Sequence, residues 1–129
     1  MLAFTVEELL FLHFKIIEDF GGSHGVRNEN RLASTTASPW QTAFGEELYP
    51  TIFEKAAVYI RSIIGDHPFI DGNKRTAITI GVLLLSRHNL KLTASPKELE
   101  DFAVQVAVEH LDISAIAAWL EIHSSTNLE

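Results

Sequence analysis

Apolar residues recur at helical spacing through most of the chain. Thr5 and Glu8 stand three apart, the form of a capping box, in which each side chain satisfies a backbone N–H beside the other. Leu9, Leu10, Leu12, Phe14, Ile16, Ile17 and Phe20 then supply a broad apolar face, predicting a helix that the Gly21-Gly22 pair stops. From Gly21 to Leu48 the pattern gives way to turn residues, with one short helical piece predicted around Glu29 to Ser34. Pro50 suits the first turn of a helix, and Ile52, Phe53, Ala56, Ala57, Tyr59, Ile60, Ile63 and Ile64 carry that helix through to Gly65. The next helix begins at Asn73 or Lys74 and is apolar nearly all round to Leu85, the mark of a helix buried in the centre of its domain. Ser95-Pro96-Lys97-Glu98 joins a cap, a first-turn proline and a capping-box glutamate, starting a helix to about Val108; Asp112 caps the last, from Ile113 to about His123. No alternation of strand length, internal repeat or low-complexity stretch stands out. The pattern predicts an all-α fold, a single-domain helical bundle over residues 1–129 with the helix after Asn73 at its centre.

Composition narrows the setting. At 129 residues and 47% hydrophobic, the chain has enough apolar surface for one core without a staple. It has no cysteine, which excludes disulfides, thiolate chemistry and zinc-thiolate sites. The opening "MLAFTVEELLFLHF" carries Glu7 and Glu8 and lacks a basic region and a small-residue cleavage site, so no signal peptide is expected and a cytoplasmic location is the default. The most apolar window, Thr76 to Leu85, falls short of the roughly 20 residues that span a bilayer. A net charge of −7 argues against broad affinity for nucleic acid or anionic membranes, so any anion must be met locally. Two of the cations stand side by side at Lys74-Arg75.

Those cations belong to "HPFIDGNKRTA", His67 to Ala77, which holds more chemistry than a turn between two helices needs. Asp71, Gly72, Asn73, Lys74 and Arg75 fall at the start of the buried helix. A helix N-terminus presents free N–H groups and partial positive charge, and a glycine beside it lets the backbone form an anion nest. Lys74 and Arg75 add full charge where phosphate oxygens would lie. A carboxylate at such a nest is repulsive unless a cation intervenes, and Mg²⁺, which takes a few carboxylate and phosphate oxygens, fits between Asp71 and a nucleotide. Histidine ordinarily titrates near neutrality, which suits His67 to take a proton from an attacking hydroxyl. Phe69 reads as an anchor packing the loop onto the core. Each residue also has a plain structural reading: His67 as a cap of the preceding helix, Asp71 as the N-cap of the next, Gly72 and Asn73 as turn residues, Lys74 and Arg75 as solvated charges. The stretch is not a Walker A loop, whose Gly-x-x-x-x-Gly-Lys-[Ser/Thr] pattern is missing.

"HPFIDGNKRTA" resembles the signature of the Fic/Doc superfamily, and within it the Doc (death-on-curing) branch of toxin–antitoxin systems. "FGGSHGVRNENRL", "GEELYPTIFEKAA" and "LDISAIAAWL" extend the likeness over nearly the whole chain. The resemblance implies an all-helical fold with the active-site loop between two central helices. It implies His67 as the base, Asp71 as the magnesium ligand, and Gly72, Asn73 and Arg75 as the phosphate cradle. Lys74 replaces the second glycine of the nucleotidyl-transferring type and Ile78 its second arginine, and both departures are Doc-like. In the Doc branch the lysine goes with a reversed ATP, whose γ-phosphate faces the acceptor, so a kinase is implied, with Lys74 and Arg75 holding transferring oxygens. The implied acceptor is a threonine of translation elongation factor Tu. The implied partner is an antitoxin whose disordered tail folds into a groove on the toxin. No glutamate here completes the [Ser/Thr]-x-x-x-Glu-[Gly/Asn] pattern by which many Fic proteins inhibit themselves. A Doc-type kinase, a nucleotidyl transferase on a protein hydroxyl and a silent binding domain are the three readings; Lys74 favours the first over the second, and an intact His67 and Asp71 disfavour the third.

Outside the loop, His13 and His88 read as packing or surface residues, having no partner at metal-ligand spacing. His110 suits a helix C-terminal dipole. Arg61 reads as a surface residue. Trp40 and Phe44 read either as anchors of their loop or as contacts for a protein partner.

Overall fold

The computed structural model describes residues 3–126. Six α-helices run among them: α1 (Val6–Phe20), α2 (Glu29–Ala37), α3 (Ile52–Asp66), α4 (Asn73–Arg87), α5 (Pro96–Glu109) and α6 (Ile113–Ile122). The expected capping boxes form at Thr5/Glu8 and Ser95/Glu98, and Asp112 caps α6 through the Ala115 N–H. Pro50 lies just outside α3 rather than in its first turn. Thr51 is the N-cap and closes a capping box with Glu54, a Thr-x-x-Glu signal of the same kind as the others. The short piece at Glu29 runs on to Ala37, capped by Asn28.

Two small antiparallel pairings accompany the helices. A 3₁₀ turn over Ser38–Trp40 leads into a hairpin of β1 (Thr42–Ala43) and β2 (Glu46–Glu47). Its tip, Phe44-Gly45, has positive φ at both residues (53° and 81°), and Phe44 stands fully in solvent. The base is tied down by Lys55 of α3, whose buried ammonium bonds the Tyr49 carbonyl, pairs with Glu47 at 2.8 Å and lies over the Trp40 ring. Trp40 is thus an anchor, half-buried with its indole N–H donating to Tyr59 Oη. The second pair joins β3 (Leu90–Leu92), after α4, to β4 (Ser124–Thr126), after α6.

One core cluster draws on every helix. α4 is buried along most of its length, as expected, but it shares the centre with α3, which packs against α2, α4, α5 and α6 as well as the 3₁₀ turn. The two approach closely because Gly81 faces Ile60: a Cβ at Gly81 would lie 2.7 Å from Ile60 Cδ1. A mid-helix glycine costs about 1 kcal/mol against alanine, and close helix contact offsets it here. The chain therefore enters and leaves the loop after α3 on two helices fixed against each other.

Candidate active site

α3 ends at Asp66, and His67 closes it with left-handed angles (φ 49°, ψ 60°), its N–H bonding the Ile63 carbonyl at 3.2 Å. A side chain in this conformation carries strain of order 1 kcal/mol, so the neighbouring contacts must hold it. The ring itself is exposed, with Nδ1 3.2 Å from the Gly65 carbonyl. A carbonyl only accepts, so Nδ1 is the donor, and in the neutral ring Nε2 is then the nitrogen with the free lone pair.

A strap of residues 23–28 runs antiparallel to the loop and holds it. Arg27 and Asn28 donate backbone N–H groups to the Pro68 carbonyl at 2.7 and 3.1 Å, Val26 bridges Phe69, and the Ile70 N–H reaches the Gly25 carbonyl at 3.0 Å. Beneath it Phe69 is wholly buried, as expected of an anchor, and burying such a ring contributes roughly 2–3 kcal/mol. Asn73 completes the turn from the other side. Its amide accepts from the Phe69 N–H at 3.1 Å and donates to the Phe69 carbonyl at 2.9 Å, and the residue is only 8% exposed. Asn73, expected in the phosphate cradle, therefore commits its side chain to the loop, and only its backbone N–H remains for that role.

Asp71 is exposed but not free to turn. Its Oδ1 accepts from the Gly72 N–H at 2.9 Å and its Oδ2 from the Ser23 N–H at 3.1 Å. The N-cap of α4 is Gly72 (φ 76°), not Asp71, and among the described residues no side chain caps this helix, whereas Thr5, Asn28, Thr51, Ser95 and Asp112 cap the other five. The first helical bond of α4 runs from the Thr76 N–H to the Gly72 carbonyl at 3.0 Å, so no intrahelical acceptor serves the N–H groups of Asn73, Lys74 and Arg75. Lys74 and Arg75 are exposed beside them, and the Arg75 guanidinium lies 3.9 Å over the Phe20 ring at the end of α1. Both line a cleft of about 590 Å³ between α4 and α5, with Ile78, Thr79, Lys97 and Val104. A smaller cleft of about 290 Å³ lies along His67, Asp66, Arg61 and His110.

No group of three or more His, Cys, Asp or Glu residues converges among the described residues. A metal here would rest on Asp71 and on oxygens brought by a ligand, a donor set that suits magnesium, which keeps several waters and few protein ligands. Each Asp71 oxygen donates only one lone pair to its N–H partner, leaving another for a cation.

His13, on the inward face of α1, is 4% exposed and stacks on Phe69, with ring centroids 3.8 Å apart and planes 4° from parallel. Its Nε2–H donates to the Asp71 carbonyl at 2.8 Å. Burial holds its pKa below the ordinary 6.5, against the opposing pull of that hydrogen bond, so the ring is neutral at pH 7. His13 is the packing residue expected, yet its contact with the loop escapes sequence reading, as do the Ser23 N–H and Phe20. Nothing local marks Ser23 or His13, which meet Asp71 across 48 and 58 residues; only Phe20, an aromatic next to the glycines that end α1, offered a signal.

The loop between two packed helices, the exposed histidine that closes the first, the held carboxylate and the uncapped helix start with two cations define a class of protein, and the chain matches the Fic/DOC family over residues 3–85, from α1 to α4, and belongs to it. Among curated proteins it is 35% identical to the Toxin Doc of Mycolicibacterium smegmatis over 103 residues, 78% of this chain and 79% of that protein. It is 33% identical to the Protein kinase doc of Escherichia phage P1 over 111 residues, 86% of each. Both relatives lie in the Doc branch of the family.

Proposed function

We propose that this protein is a Doc-type toxin kinase, which transfers the γ-phosphate of ATP to a threonine hydroxyl of a translation factor, elongation factor Tu being the expected target, and which an antitoxin neutralises. The observation that carries the reading is the start of α4, uncapped and flanked by Lys74, Arg75 and a fixed Asp71. The N–H groups of Asn73, Lys74 and Arg75 bind phosphate oxygens, and the two side chains hold the charge of the transferring group. Asp71 would hold Mg²⁺, which bound there with ATP neutralises charge on the phosphates. Nε2 of His67 takes the proton of the acceptor hydroxyl as its oxygen bonds to the γ-phosphorus; the bond from that phosphorus to the β–γ bridging oxygen breaks, and ADP leaves.

Phosphoryl rather than nucleotidyl transfer is supported by Lys74 and Ile78, which stand where the nucleotidyl-transferring type has glycine and arginine. The relative from phage P1 bears the name of a protein kinase, which agrees. The test is mass spectrometry of elongation factor Tu after incubation with the protein, ATP and Mg²⁺, with His67→Ala as control. One added phosphoryl group, absent in the control, is the expected result. An added adenylyl group overturns the phosphoryl assignment, and an unmodified factor overturns the proposed target.

A further inference from the structure

We infer that His13 is a positioning residue for Asp71, holding the peptide that carries this carboxylate so that it faces the phosphate nest. The inference rests on the proposed role of Asp71. The Asp71 carbonyl and the Gly72 nitrogen belong to one planar peptide unit. His13 holds the carbonyl side of that plane at 2.8 Å, and the N–H on the opposite side holds Asp71 Oδ1 at 2.9 Å. Fixing the first therefore fixes the second. Without the histidine the plane is free to rotate, the more so because its C-terminal residue is a glycine with positive φ.

The choice of residue points the same way. The other buried positions of α1, Leu9, Ile16 and Ile17, are aliphatic and fill space alone. A buried imidazole costs desolvation that only its hydrogen bond offsets, and the ring is already placed by its stack on Phe69. The stack sets where Nε2 lies, and Nε2 sets the peptide. Partners of metal ligands that act in this way are worth about 10- to 100-fold in metal affinity.

The experiment separates the donor from the ring. His13→Phe keeps an aromatic ring on Phe69 and removes the donor; His13→Gln keeps a donor and removes the ring. For both variants, the wild type and Asp71→Asn, calorimetry measures ATP binding against Mg²⁺ concentration, and hydrogen exchange follows the Gly72 amide in the ligand-free protein. The expected result is that His13→Phe raises the Mg²⁺ concentration for half-maximal binding roughly ten-fold and speeds Gly72 exchange, while His13→Gln stays within about two-fold of wild type. A folded His13→Phe with the Mg²⁺ dependence and exchange of the wild type overturns the inference. If His13→Phe does not fold, His13→Leu, which also removes the donor, is read in its place, a ten-fold rise in the Mg²⁺ requirement supporting the inference and a wild-type dependence overturning it. If wild type and Asp71→Asn bind alike, the role of Asp71 falls and the inference with it; if they differ while His13→Phe matches wild type, the inference falls alone.

Discussion

Four of the six histidines, His67, His88, His110 and His123, stand at the C-caps of α3 to α6, where an imidazole suits the negative end of the helix dipole. The capping reading of His67 is therefore correct, and capping does not distinguish it. His88 and His123 turn Nδ1 onto carbonyls one turn back, Leu84 and Trp119, and are half-buried; His67 has its ring in solvent at the mouth of the site. His67→Ala is expected to lower transfer at least 100-fold with a stability change of less than about 1 kcal/mol, measured by turnover and urea unfolding. Asn73→Ala behaves oppositely, leaving the buried Phe69 N–H and carbonyl unpaired and costing roughly 2–4 kcal/mol in the same unfolding experiment. The sequence marks Asn73 as part of a phosphate cradle but gives no sign of this staple, because an amide in a glycine turn looks the same whether it faces a ligand or the core. Thr76 is wholly buried, and its hydroxyl has no partner among the described residues. Thr76→Val should thus be neutral or stabilising by up to about 1 kcal/mol, read as a rise in melting temperature.

Between helices, the strap and the hairpin do most of the shaping. Gly22 has φ 120°, and a Cβ there would lie 2.8 Å from Asp71 Oδ2. Gly22→Ala is expected to displace that carboxylate and to weaken Mg²⁺-dependent ATP binding by about ten-fold, checked by calorimetry. Helix starts were the most legible elements, since a capping residue and its glutamate lie within one turn of each other. Thr51-x-x-Glu54 was equally readable, but a neighbouring proline drew the boundary two residues early. The hairpin was not readable: Phe44-Gly45 is no ordinary turn pair, and its anchor Lys55 sits on a face of α3 that looks merely polar until Tyr49, Glu47 and Trp40 are brought to it. β3 and β4 are three residues each and find each other across the length of two helices, too short a run for alternation to register.

Across the molecule, acid acts first through His13 and then through the capping-box glutamates Glu8 and Glu98, the latter held below 4.5 chiefly by the Ser95 backbone N–H. His13 is held below its ordinary 6.5 chiefly by burial, with His24 adding to the effect and Asp71 opposing it. The unfolded chain therefore takes up its proton first, and this contribution to stability, complete above pH 6.5, is lost as pH falls from there toward the lowered native value. Glu8, held below 4.5 by the Thr5 backbone and by Arg87, adds stability that is complete above pH 4.5 and is lost on further acidification. Melting temperature should fall in two stages between neutral and strongly acid pH, and His13→Phe should remove the first stage alone. At this scale the all-helical class was legible from periodicity, whereas the shared centre of α3 and α4 was not, since burial on several sides of α3 depends on partners from both ends of the chain. The loop is gripped by residues that precede it by 40 to 58 positions. Helices gather from near neighbours within microseconds, but this clasp waits for the slow meeting of distant segments. A growing chain whose α4 is still inside the ribosome thus has neither nest nor clasp, and the cell meets the finished activity all at once rather than by degrees.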